Sequence, residues 1–126
     1  MEELESIIYN VCTPLDGASL YSQESPSVYL DFFGDENSIE SIFNSSGIFG
    51  REDSNLSVMN PNGRYGSPDG VYSNGNESSK LPPKISSGSG DFIGYFTVNT
   101  YSHTPAFDPL SVYSDCAMAG FIWSLP

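Results

Sequence analysis

The chain has 126 residues, enough for one ordinary domain. Sixteen acids face four bases, and the resulting formal charge of −12 repels phosphate backbones and anionic membranes, which excludes nucleic-acid binding by counterion release. Apolar residues make up 38%, below an ordinary domain, yet 13% are aromatic, above a disordered chain.

The first predicted element is a short helix over residues 2–12, EELESIIYNVC. Leu4, Ile7, Ile8 and Val11 recur at helical spacing, and the acids lie in the first turn, where the helix dipole favours them. Thr13-Pro14 is expected to end it, because proline pushes the preceding residue out of helical angles. The opening MEELESIIYN carries neither the basic nor the apolar region of a secretory signal. Cys12 and Cys116 are therefore expected to stay reduced in an intracellular protein, cytoplasmic or nuclear. A disulfide between them would close a loop of about a hundred residues and add about 4–5 kcal/mol in the chain-entropy model.

Residues 27–43, SVYLDFFGDENSIESIF, interleave Tyr29, Leu30, Phe32, Phe33, Ile39, Ile42 and Phe43 with Asp31, Asp35, Glu36 and Glu40. A second helix is predicted over 36–44, with Asp35 as its cap, Ile39, Ile42 and Phe43 on one face, and Gly47 stopping it. Both helices are too short to persist alone and are expected to be transient. Asn62-Gly63, Asp69-Gly70 and Asn74-Gly75 follow as turn signals, with intervals too short for strands. Residues 78–90, SSKLPPKISSGSG, read as a linker. No internal repeat stands out; the Tyr-Ser dipeptide recurs at Tyr21, Tyr72, Tyr101 and Tyr113 without a fixed period. Phe92–Tyr101 alternates as a strand would, and the segment after Pro109 reads as a strand or a short buried helix.

The fold class expected from these elements is a largely disordered acidic chain. It has transient helices near 2–12 and 36–44 and a β-prone C-terminal segment over 91–124. The alternative is a small single-domain α+β protein. Charge divides the chain into an acidic–aromatic interaction segment (1–50), a neutral turn- and linker-rich segment (51–90) that holds all four bases, and an aromatic β-prone segment (91–126).

Catalytic chemistry finds little support. His103 and two distant cysteines lack zinc-site spacing, and the Gly-rich GSGDFIG lacks the lysine of a phosphate-binding loop. No enzyme activity, cofactor or metal is expected. Ser25-Pro26, Ser67-Pro68 and similar pairs match phosphorylation patterns, as chance alone would supply in this composition.

The functional expectation is a non-enzymatic acidic interaction module of the activation or signalling type. Tyr29, Leu30, Phe32, Phe33, Ile39, Ile42 and Phe43 would anchor in a partner's basic-rimmed apolar groove, while Asp31, Asp35, Glu36 and Glu40 steer the encounter. The alternative is a compact acidic blocker of a basic nucleic-acid-binding protein, with carboxylates standing where phosphates would lie. Either way the partner is a protein, with no direct nucleic acid and no membrane.

Overall fold

The N-terminal helix α1 (Glu2–Ile7) runs without a break into a π-wound segment, Ile8–Cys12, and then a last turn, α2 (Thr13–Leu15). The computed structural model describes residues 2–100, 103–109 and 111–124. Pro14 does not end the helix where expected. Thr13 before it keeps helical angles (φ −61°, ψ −44°) with its N–H on the Ile8 carbonyl, and the winding carries on to Leu15. The chain leaves the helix at Asp16, which is extended, and Gly17, whose φ of +82° suits a residue without Cβ.

Five strands follow: β1 (Ser19–Tyr21), β2 (Tyr29–Phe32), β3 (Lys84–Ser86), β4 (Phe92–Phe96) and β5 (Ala106–Phe107). They form one mixed sheet in the order β2-β1-β3-β4-β5, antiparallel except for the β4–β5 pair. The expectation of a largely disordered chain, and with it the label of intrinsic disorder, is therefore corrected: the chain is a compact α+β domain, the alternative reading. The linker reading is corrected too. Lys84–Ser86 is the central strand, with Ile85 wholly buried, and residues 87–91 make the β3–β4 hairpin turn through Ser87 N–H to Asp91 carbonyl (2.7 Å). The predicted C-terminal strand is shorter than Phe92–Tyr101, and Tyr101 lies outside the described residues. Beyond β5 the chain is not β but helical: a π-wound segment, Ser111–Asp115, then α3 (Cys116–Met118).

Between β2 and β3 the predicted helix over 36–44 is absent. Residues 35–82 instead wind as three coils of sixteen residues, 35–50, 51–66 and 67–82, built from successive tight turns. In the first coil Ser38, Ser41, Asn44, Gly47 and Gly50 each donate a backbone N–H to the carbonyl three residues earlier. Ser54, Ser57, Asn60, Gly63 and Gly66 repeat the pattern in the second. Asn44, Asn60 and Asn76 occupy one equivalent position. Each donates Nδ2 to the carbonyl six residues back, at 3.0, 3.0 and 2.9 Å, and accepts at Oδ1 from the N–H two residues on. Ser41, Ser57 and Ser73 occupy another, each accepting at Oγ from the N–H two residues on. A Cβ on Gly50 or Gly66 would stand 2.2 or 2.3 Å from the carbonyl oxygen of Asn44 or Asn60, so both sites require glycine.

The coils are held to the rest of the domain along their length. Coil one extends the β2 edge through Ile42 N–H to Phe32 carbonyl (3.0 Å). In coil two, Arg64 grips the carboxylate of Glu24 through Nε and a terminal nitrogen, and the Tyr65 hydroxyl donates to the same group. Burial pushes the Glu24 carboxyl up, but hydrogen bonds from Tyr65, Ser22 and Arg64 outweigh it and hold the group below its usual range. Coil three meets the segment after β4 through Val98 N–H to Asn74 carbonyl (2.9 Å) and Asn99 Nδ2 to Ser79 carbonyl (3.2 Å).

The core gathers Leu15, Leu20, Leu30, Phe33, Ile85, Phe96 and Val112 with Ile42, Val58 and Tyr65 from the coils. Cys12 and Cys116, both fully buried, form a disulfide with Cα atoms 5.9 Å apart across 104 residues. The expectation of two reduced cysteines is corrected accordingly. Sequence separation hid a pair that the packing of the two helical segments brings into bonding distance.

A candidate cation-binding groove

The C-terminal tail creates the site. Ser124 is fixed by Asp16, whose carboxylate accepts from its backbone N–H (2.9 Å) and from its hydroxyl (2.6 Å). The Ser124 carbonyl in turn accepts from Asp35 N–H at 3.0 Å. Residues 121–124 are thereby strapped across the junction of α3, the start of coil one and the end of α2. The strap leaves a groove of about 280 Å³, with Phe43, Tyr113, Phe121 and Trp123 among its walls and Asp35 and Glu36 contributing carboxylates.

The rings are mutually oriented. Trp123 stacks on Phe43 with centroids 4.5 Å apart and planes 28° from parallel. Phe121 stands at 77° to Trp123, and Tyr113 at 80° to Phe43. Trp123 and Phe43 each cover one face of the other, and Phe121 and Tyr113 meet that pair at steep angles. Asp35 Oδ1 already accepts from Asn37 N–H (2.7 Å), closing a local turn, whereas Glu36 is exposed. The Tyr113 hydroxyl is buried without a hydrogen-bond partner, and burial pushes this phenol well above its ordinary value.

The eleven residues anticipated as partner-binding are scattered by the fold. Only Asp35, Glu36 and Phe43 meet in the groove. Leu30, Phe33 and Ile42 are in the core. Phe32 is half-buried on β2, and Ile39 is 77% exposed on coil one. Tyr29 lies against Tyr21 and Phe49 (centroids 5.6 and 5.5 Å); burial, then its hydrogen bond to Glu40, raises its phenol pKa. Asp31 is fully buried, and neither carboxylate oxygen has a hydrogen-bond partner; burial drives its pKa well above the usual carboxylate range. Sequence reasoning missed the groove's Tyr113, Phe121 and Trp123. Their aromatic clustering near the C-terminus was visible, but Tyr113 reaches the groove on the π-wound segment while Phe121 and Trp123 reach it through the strap on Asp16.

Among the described residues no group of three or more His, Cys, Asp and Glu is placed to hold a metal ion, and no helix is long and apolar enough to cross a membrane. His103 Nε2 lies 2.9 Å from the Ser79 carbonyl oxygen, with its ring beside Tyr95. Comparison of the chain with protein-family models, curated proteins and solved structures finds no match in any of the three.

Proposed function

We propose that the protein is a non-enzymatic acidic interaction module that takes a cationic side chain of a basic protein partner into the Phe43–Trp123 groove. The observation that carries this reading is four aromatic rings and two carboxylates converging on one groove. Ring faces attract cations through their quadrupole, and most strongly where water is partly excluded. The formal charge of −12 would draw a basic partner in from a distance and disfavour anionic ones. This is the interaction reading of the sequence moved to a preformed site.

Trp123 is the sole tryptophan, so its emission reports on the groove directly. Titration with a lysine- and arginine-rich peptide should give a saturable change, and Glu36→Gln should weaken binding about two- to fivefold, the range of a surface charge contact. No saturable change, or an equal response to an acidic peptide of the same length, would overturn the proposal.

A second reading, a blocker of a basic surface, is favoured by one observation. Exposed Glu36 and Glu52 stand at one equivalent coil position, and exposed Asp53, which pairs with Arg51 at 3.1 Å, and Asp69 at another, so the coils set acids at repeating positions. Binding that survives Phe121→Ala but disappears at high salt would select this reading over the groove.

A further inference from the structure

We infer that the groove selects an N-methylated ammonium group, the side chain of a trimethyllysine on the basic partner; this rests on the groove being the binding site. An unmodified lysine ammonium carries three N–H donors that each need an acceptor once water is left behind. Asp35 Oδ1 is engaged by Asn37 N–H, the Tyr113 hydroxyl is buried beneath the surface, and Glu36 stands in solvent. The side chains of Val112, Ala117 and Ile122, also in the groove lining, are apolar. A trimethylammonium group keeps the full positive charge, has no donor to satisfy, and turns methyl groups toward those walls and the ring faces. The two carboxylates then act as counter-charges at a distance. They also disfavour the phosphate that accompanies a choline lipid headgroup, which is why a modified lysine is assigned.

The test uses the full disulfide-bonded chain and three peptides of one basic sequence. One central side chain is varied: lysine, trimethyllysine, or a neutral tert-butyl analogue of the same shape. Calorimetry measures affinity and Trp123 emission locates binding. The trimethyllysine peptide is expected to bind about tenfold or more tighter than both others, with the tetramethylammonium ion competing and phosphocholine not. Equal or tighter binding of the unmodified lysine peptide would overturn the selectivity while leaving the groove reading intact. Equal binding of the neutral analogue would reduce the site to an apolar slot and overturn the cation assignment. Competition by phosphocholine as strong as by tetramethylammonium would overturn the lysine assignment in favour of a choline group. No binding by any peptide would overturn the groove reading and this inference together.

Discussion

Asp31 is the residue most at odds with its surroundings. On β2 it is the register partner of Leu20, itself paired with Ile85, and all three are fully buried. An ionised carboxylate there, without a hydrogen bond, would lose its hydration with nothing in exchange, so burial favours the protonated form in the folded protein. Because the unfolded carboxyl ionises near its ordinary value of 3.8 and the folded one only well above it, the unfolded state gives up its proton first. Stability on this account falls as pH rises from about 4, and the loss levels off once the folded group also ionises. Asp31→Asn removes the ionisation while keeping the shape. It should stabilise the protein at pH 7, on the order of 1 kcal/mol or more, and the gain should vanish at pH 4. Denaturant unfolding at the two pH values checks this; an equal effect at both would mean that Asp31 does not titrate as argued.

At the level of the element, the coils turn a composition that signals loop into ordered structure. Each turn needs one hydrogen bond across three residues, and Ser, Asn and Gly satisfy it locally, so no long apolar run is required. If the coils are equivalent, Gly50→Ala and Gly66→Ala should destabilise the protein by similar amounts, about 1–3 kcal/mol, because each Cβ must displace a backbone carbonyl. Gly88→Ala, whose Cβ would meet nothing closer than 3.6 Å, is the control. A thermal melt in which Gly66→Ala behaves like Gly88→Ala would refute the close packing of the coils. The same geometry explains the false helix over 36–44. A turn every three residues spaces Ile39, Ile42 and Phe43 almost as a helix would, and a window of nine residues does not separate a period of 3 from 3.6. The sixteen-residue repeat was present in the chain but thin, since only the Ser41 and Asn44 positions are identical in all three coils. In a chain rich in both residues, that reads as composition.

For the whole molecule, the disulfide and the Asp16–Ser124 contact tie the two chain ends together. Reduction, or a Cys12→Ser and Cys116→Ser double variant, should lower unfolding stability by about 4–5 kcal/mol if loop closure dominates, and Trp123 emission should shift because the tail that carries it hangs from the Cys116 segment. Unchanged unfolding in reductant would show that the helices hold without the bond. The first helix and the β4 strand were legible because each carries its own periodic pattern. The sheet was not: β1, β3 and β5 are two or three residues long, below the length at which alternation can be read. The half of the groove near Asp35 lay in the acidic segment singled out from sequence, while its other half comes from eighty residues further along.

The central pairing of β1 with β3 joins Ser19 to Ser86. Drawn as an open chain, that contact would have to close a loop of more than sixty residues, slow and entropically costly. The coils change the search. Their bonds are among the most local in the molecule, and once wound they deliver Pro82 to Gln23, whose Nε2 donates to its carbonyl at 2.6 Å. A chain that winds its coils first would no longer have to find β3 by diffusion, because the spool would present it.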